Sequence, residues 1–477
     1  MHPSSRLLLL RAKQKLYSAS LSLDSAAATA SRLAKSTSQS SFLHNSTIRR
    51  NSNDSVPPQR VQQPAGGLES QAQESEAKPP AMDPQTGEMK LRQDIDASIS
   101  WSKPSLLEII GSDQPKQVPL SSQLQFGHTF TDHMLTIPWS SSTGWAAPQI
   151  KPYGPLHLDP SSTVLHYANT AFEGFKAYKD AKTGTVTLFR PDKNMERMNR
   201  SAGRLAFPTF TGEHLLTLIK KLVSLDRNWI PSEPGHSLYV RPTMIGTQAA
   251  LGVSAATDVL LFVICSPAGA YYKTGFKPIS LLASTKDVRA WPGGTGSFKI
   301  GANYAGGIAP QMSASSEGYQ QILWLFGDDH QLTEVGTMNL FAVVADEKGQ
   351  WELITPPLGD TILSGVTRDS ILALASQHAD SNASSKISGL PVDMKVSERK
   401  ITMPEIIALQ KEGRLIEMFG AGTAVVVSPI KEIGYEGTKI PVPVGEDGLG
   451  DVARAMLREI TGRQRGTIKS DWSVVVD

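Results

Sequence analysis

Beyond about residue 100, short apolar runs with strand character alternate with stretches whose apolar residues recur at helical spacing. The runs predict strands over 185–189, 237–241, 259–265, 279–283, 322–326 and 338–344, and the helical period predicts helices over 194–205, 213–225, 370–378, 403–412 and 450–461. Such interleaving marks an α/β or α+β protein. A composition change over 267–277, containing Pro-Ala-Gly-Ala-Tyr-Tyr-Lys-Thr-Gly, divides this body. At 477 residues the chain exceeds what one core usually organises. We therefore expect a smaller N-terminal domain over 101–270, an interdomain loop over 271–279 and a larger C-terminal domain over 280–477.

The first hundred residues do not share the pattern. Residues 1–53 carry Arg6, Arg11, Lys13, Lys15, Arg32, Lys35, Arg49 and Arg50, much Ser and Ala, and Asp24 as the one acid. That composition predicts a transit peptide read by the mitochondrial import machinery, hence a protein of the mitochondrial matrix. The apolar run at 7–10 is too short for the core of a secretory signal. Residues 54–100, rich in Pro, Gln, Ser, Gly and Glu, hold too little apolar surface to fold and read as a linker.

Composition and charge remove several functions. A formal charge of +2, with scattered basic residues, does not suggest nucleic-acid binding. No apolar run reaches the length of a membrane span. Cys265 is the single cysteine, which excludes an intramolecular disulfide framework and a thiolate-rich metal site. The histidines, among them His128, His133, His166, His236 and His330, lack metal-binding spacing, so no metal is expected.

Four segments carry candidate chemistry. In Ala290-Trp-Pro-Gly-Gly-Thr-Gly-Ser-Phe-Lys299-Ile-Gly-Ala-Asn-Tyr304-Ala, one lysine lies among glycines and apolar residues, with no acid between Asp287 and Glu317. Burial of such a lysine favours the neutral amine, the form that attacks an aldehyde to give an imine; exposed, it is a lysine on a glycine-rich loop. The order G-x-x-x-x-G-K-[ST] of a phosphate-cradling P-loop is absent. In Gln331-Leu-Thr-Glu334-Val-Gly-Thr337-Met-Asn339, Glu334 interrupts an apolar strand, and a buried carboxylate needs a partner. A cofactor pyridine nitrogen is one such partner; a strand-edge glutamate in water is the alternative.

The third segment, Ile362-Leu363-Ser364-Gly365-Val366-Thr367-Arg368, runs a Ser/Gly break directly into a helical pattern. Ser364 or Gly365 can cap that helix, and the free N–H groups of Val366 and Thr367 suit a phosphate. An N-cap without a ligand is the plainer reading. The fourth, Phe419-Gly-Ala-Gly-Thr423-Ala424, is a glycine turn that offers N–H groups and a hydroxyl to an anion, or simply connects strands. In the first half, Arg197, Arg200 and Arg204 fall on one helical face, where one of them can contact a phosphate or all can face solvent.

Together with Phe130-Thr-Asp-His-Met, His166-Tyr167, Phe172-Glu-Gly-Phe-Lys, Leu188-Phe-Arg-Pro and Tyr239-Val-Arg-Pro, these strings resemble the branched-chain aminotransferase family of fold-type IV pyridoxal-phosphate enzymes. The resemblance covers most of 126–458, and the joint order of the strings makes it specific. It implies a two-domain α/β fold whose larger C-terminal domain is a pseudo-barrel. Pyridoxal 5'-phosphate is the implied cofactor, with Lys299 forming the Schiff base, Tyr304 bonding O3′, Glu334 meeting the pyridine nitrogen and Arg197 holding the phosphate. The Val366 and Thr367 amides and Thr423 are assigned to the same phosphate, and Leu363 is a further cofactor contact.

By the same resemblance Tyr167, Phe172, Tyr239, Thr337 and Ala424 line the substrate site, and Leu251 and Val253 reach over from the other subunit of a homodimer. The implied reaction is ping-pong transfer between Leu, Ile or Val and 2-oxoglutarate, with Lys299 moving the proton. An apolar pocket gains about 0.8 kcal/mol per buried methylene, which ranks these three above Ala. Arg241 and Tyr239 are candidates for the distal carboxylate of glutamate. Val425 and Ser428 stand where some animal members carry C-x-x-C, so thiol regulation of that kind is not expected.

D-amino-acid aminotransferases, aminodeoxychorismate lyases and a specialised-pathway paralogue share the fold type. The His166-Tyr167 and Tyr239-Val-Arg-Pro strings favour the branched-chain subgroup. A catalytically inactive regulatory relative is a different class of reading, against which stand the intact Lys299, Tyr304 and Glu334.

Overall fold

Two sheets account for the strands of the computed structural model, which describes residues 103–269, 277–383 and 386–477. The expected presequence over 1–53 and linker over 54–100 lie outside these residues. The first sheet holds β1 (Glu108–Ile109), β2 (His133–Ser140), β3 (Gly144–Trp145), β4 (Gln149–Pro152), β5 (Thr170–Phe172), β6 (Phe175–Lys179), β7 (Val186–Phe189), β8 (Ser237–Gly246) and β9 (Asp258–Ala268). The second holds β10 (Ile279–Ser284), β11 (Gln321–Phe326), β12 (Gln331–Val335), β13 (Met338–Ala345), β14 (Trp351–Thr355), β15 (Lys395–Glu398), β16 (Leu415–Gly422), β17 (Val426–Tyr435) and β18 (Thr438–Pro441). The last strand, β19 (Ser473–Val476), crosses back and pairs antiparallel with β7.

The helices are α1 (Thr163–Tyr167), α2 (Pro191–Arg204), α3 (Gly212–Leu225), α4 (Ala302–Ala305), α5 (Ile308–Ser316), α6 (Val366–Ala379), α7 (Met403–Lys411) and α8 (Asp451–Gln464). In α3 the buried Leu215, Leu218, Ile219, Leu222 and Val223 form the stripe that a helical period turns to one side. That stripe joins Met195 and Met198 of α2 against Leu135, Leu238, Val240, Leu261 and Val263 of the first sheet.

The second sheet closes on itself. β10 pairs in parallel with β11 and β17, while β11–β12, β12–β13, β13–β16 and β16–β17 are antiparallel, so six strands complete a ring. β14, β15 and β18 attach outside it. β13 shows why the ring buries both faces: Leu340, Ala342 and Val344 share one core with residues of all six ring strands, whereas Phe341 and Val343 pack with Ile371 and Leu374 of α6 and Val452 and Met456 of α8.

Each strand and helix expected from periodicity has an observed counterpart. α6 starts four residues before its expected onset at 370, because the polar Thr367 and Arg368 hide its first turn from an apolar pattern. β10 begins at Ile279, where the strand over 279–283 was expected, and β19 keeps the two sheets from dividing the chain at a single point. Among the described residues no helix is long and apolar enough to cross a membrane, and no cluster of three or more His, Cys, Asp or Glu is present. His133 has a structural setting, with Nδ1 2.6 Å from Asp226 Oδ1 and Nε2 accepting from the Ser112 amide at 3.1 Å.

Candidate active site

The backbone at Lys299 is pinned from three sides before its side chain does anything. The Phe172 amide donates to the Lys299 carbonyl at 3.1 Å, the Gly301 amide to Thr170 O at 2.8 Å, and the Lys299 amide to Ser201 Oγ of α2 at 2.9 Å. From this anchorage Lys299 lines a cavity of about 450 Å³ whose walls come from both sheets. Its Nζ donates to Tyr304 Oη at 3.0 Å and lies 4.7 Å from the Phe172 ring centroid.

At another wall, Gly365 precedes α6 with φ −73° and ψ 133°, and no side chain caps the helix. Ser364 Oγ instead accepts from Arg200 at 2.5 Å. Leu363, Gly365, Val366 and Thr367 all line the cavity, so the positive end of a 14-residue helix opens into it. A Cβ on Gly365 would come within 2.0 Å of Asn339 Oδ1, which restricts this entry to glycine.

Two buried carboxylates flank the site. Glu334 is 2% exposed and is not itself in the cavity lining. Oε1 accepts from the Leu363 amide at 2.7 Å, and Oε2 pairs with Arg289 Nε at 3.0 Å. Burial pushes this carboxyl above the usual range, only partly offset by Arg289, the Leu363 amide, Lys299 and Arg197. Arg289 also donates to the Thr361 carbonyl at 2.8 Å and the Gly296 carbonyl at 3.2 Å, tying Glu334 to the loop that leads to Lys299. Glu173 receives Arg197 in two bonds, Nε to Oε1 at 2.7 Å and Nη2 to Oε2 at 2.8 Å, with Asn194 adding a third at 2.7 Å. Burial raises this carboxyl, but Arg197, Lys299 and Asn194 outweigh it and hold Glu173 below the usual range.

The remaining wall belongs to β8 and the turn after β16. Tyr239 and Arg241 lie on one face of β8, and Arg241 Nη2 donates to Tyr239 Oη at 3.1 Å. Arg241 also stacks over Phe172, 4.9 Å from its centroid, and leaves its buried Nε without a partner among the described residues. A Cβ on Gly174 would come 1.8 Å from Tyr239 Oη, so glycine there makes room for the ring. Thr423 and Ala424 complete this side, and Val426 just after them holds φ at +64°, a strained value for a β-branched residue.

Thus Lys299, Tyr304, Arg197, Leu363, Val366, Thr367, Thr423, Phe172, Tyr239, Arg241, Thr337 and Ala424 share one cavity. Tyr167, Leu251 and Val253 are not part of its lining. They are 42%, 65% and 80% exposed, and Tyr167 Oη donates to the Leu251 carbonyl. Of the face at Arg197, Arg200 and Arg204, only Arg197 reaches the cavity, while the other two flank the Phe298 ring at 5.9 Å. Sequence reasoning did not single out Glu173, Arg289, Gln321 or Phe126. A glutamate amid the apolar Phe172-Glu-Gly-Phe run was a signal of the same kind as Glu334.

Comparison with known proteins decides the family. The model of class IV amino-transferases matches residues 170–433. The cytosolic branched-chain-amino-acid aminotransferase of Saccharomyces cerevisiae is 50% identical over 384 residues, 80% of this chain and 98% of that protein. The chain belongs to the branched-chain-amino-acid aminotransferase family. The mitochondrial form from the same yeast is 50% identical over 78% of this chain and 93% of its own length. The mitochondrial protein of Schizosaccharomyces pombe is 44% identical, over 79% and 87%. Among solved structures, the Escherichia coli branched-chain aminotransferase aligns with TM-score 0.56 at 24% identity, over 72% of this chain and 99% of that one, and shares the fold-type IV architecture. This aminotransferase is a branched-chain amino-acid transaminase, EC 2.6.1.42.

Proposed function

We propose that the cavity binds pyridoxal 5'-phosphate through Lys299 and carries out reversible amino transfer between Leu, Ile or Val and 2-oxoglutarate, in the mitochondrial matrix and as a homodimer. One observation carries the assignment: Lys299 Nζ, held by Tyr304, shares a cavity with the uncapped start of a 14-residue helix. The donor set fits the cofactor, since an amine that bonds Tyr304 and no carboxylate among the described residues suits an aldehyde, and the α6 terminus with Thr423 suits a phosphate. When bound, the cofactor supplies that aldehyde and draws electron density away from the substrate Cα.

The chain's own residues do the rest. Tyr304 keeps Nζ oriented, so that Lys299, as a free amine, would take the proton from the substrate Cα and deliver it to the cofactor's aldehyde carbon. Glu334 stands ready to hold the pyridine nitrogen in its charged form, and Arg289 keeps the carboxylate aligned. Arg197, fixed by Glu173, adds positive charge near the phosphate end. Phe172, Tyr239, Thr337 and Ala424 bound the aliphatic side chain, and Arg241 with its unpartnered Nε offers a bond to a distal carboxylate.

The exposed unit of Tyr167, Leu251 and Val253 supports the dimer, because three hydrophobic side chains facing outward suit a partner's cavity. The basic, nearly acid-free stretch over 1–53 supports the matrix address, and its fusion to a fluorescent reporter tests that: mitochondrial fluorescence is expected, and diffuse fluorescence sinks the address. For the chemistry, the visible spectrum of purified protein and of Lys299→Ala is recorded as leucine and then 2-oxoglutarate are added. We expect a band that leucine removes and 2-oxoglutarate restores, with no restoration in the variant. A band that ignores leucine but answers a D-amino acid moves the enzyme to the sister subgroup.

A further inference from the structure

Lys176, which closes the Phe172-Glu-Gly-Phe-Lys string, is a charged residue near the site to which no role has yet been given. It lies on β6 directly opposite Tyr239 of β8, so the two side chains leave the same face of the first sheet. Its Nζ reaches across to the barrel and donates to the Ala424 carbonyl at 2.7 Å. No carboxylate pairs with it among the described residues. Burial, helped by nearby Arg465, pushes this amine down to about 8. A half-buried cation on a single carbonyl is an unusual expense unless the carbonyl's position matters.

That carbonyl sits at the exposed tip of a turn whose stem is paired, Gly422 opposite Val426, with the Val427 amide donating to the Val425 carbonyl at 2.8 Å. The turn begins with Gly422, lines the cavity from Ala421 to Val425, and ends at Val426 in the left-handed region. Backbone strain persists only where surroundings hold it in place. Lys176 supplies such a hold from the opposite sheet.

We propose that Lys176 is a positioning residue, whose ammonium fixes the Ala424 carbonyl and so sets where Thr423 and Ala424 meet the bound substrate and cofactor. The inference rests on the reading that this turn contacts them. Because the hold comes from the other sheet, it also sets the width of the cavity between Tyr239 and Ala424.

The test compares holoenzyme with Lys176→Met and Lys176→Arg, measuring kcat and KM for leucine and for 2-oxoglutarate. Hydrogen exchange of the 422–426 amides is followed in cofactor-loaded and cofactor-free protein. Loss of one charge-assisted bond predicts KM values about ten-fold higher for both substrates in Lys176→Met and turn amides that exchange about ten-fold faster in both forms. Lys176→Arg, which keeps the donor, restores both to within about two-fold of the parent. A KM increase confined to 2-oxoglutarate overturns the proposal in favour of direct contact with the distal carboxylate. Unchanged exchange at the turn, or faster exchange throughout the first sheet, overturns it as well. Faster exchange at the turn with unchanged KM values overturns it through the assignment of the turn to the substrate, leaving the restraint itself intact.

Discussion

Glu173 and Glu334 are both buried and yet are driven in opposite directions. Glu173 has a two-bond guanidinium and the Asn194 amide at 2.7 Å on its oxygens, and ends below the usual carboxylate range; Glu334 has one guanidinium nitrogen, the Leu363 amide and a long bond from Asn339 at 3.4 Å, and ends above it. The difference suits their stations, because a fixed anion holds Arg197 in place while a carboxylate of higher proton affinity can share a proton with a pyridine nitrogen. Glu173→Gln leaves Arg197 buried without its counter-charge and should cost about 3 kcal/mol of stability, read as a lower melting temperature by calorimetry. Glu334→Gln should lower kcat by about 100-fold with leucine KM little changed; a kcat within two-fold or so of the parent would remove Glu334 from the chemistry. Lys299 and Glu334 were legible as single charges in apolar or glycine-rich company. Arg289 was not, because nothing in the order of residues reveals which distant carboxylate a buried arginine will meet.

At the scale of elements, two helix starts govern what the molecule can tolerate. Gly365→Ala puts a methyl into Asn339 and must displace the start of α6, so the dissociation constant for pyridoxal phosphate should rise by about ten-fold or more, measured by fluorescence titration of cofactor-free protein. At α8, Glu417 accepts from the Val452 and Ala453 amides, at 2.7 and 3.2 Å, from a buried position on β16. Burial pushes Glu417 up to about 7, against the pull of the two amides and of Arg454. A raised carboxyl contributes stability that is present below its unfolded value and lost as pH rises through its folded value. Relative to Glu417→Gln, the parent should therefore lose up to about 3 kcal/mol of unfolding free energy between about pH 4 and about pH 8, by denaturant titration. Strands that are short apolar runs, such as β11 and β13, were readable from the chain. Ring closure was legible only through the family resemblance, since the pairing of β13 with β16 and of β10 with β17 joins segments that no local pattern connects.

For the whole molecule, a shared site makes a test by mixing. If Leu251 and Val253 of one subunit complete the cavity of the other, Lys299→Ala and Val253→Asp are each impaired as homodimers. Refolded together, they form mixed dimers in which one cavity has its own Lys299 and a sound Val253 from across the interface. About a quarter of parental activity should return when equal amounts are mixed, and none if each cavity is complete within one chain. The exposure of Tyr167, Leu251 and Val253 could not be foreseen from their apolar character, which by itself predicts burial.

The return of β19 to the first sheet bears on how the chain is made. β7 lies between β6 and β19, and β19 comes from residues 473–476, far downstream of β7 in the chain. Until residues 473–476 leave the ribosome, β7 is an open edge, so the sheet begun early in synthesis is completed late. The nascent chain therefore carries an unpaired edge on its first sheet until the second sheet has been synthesised.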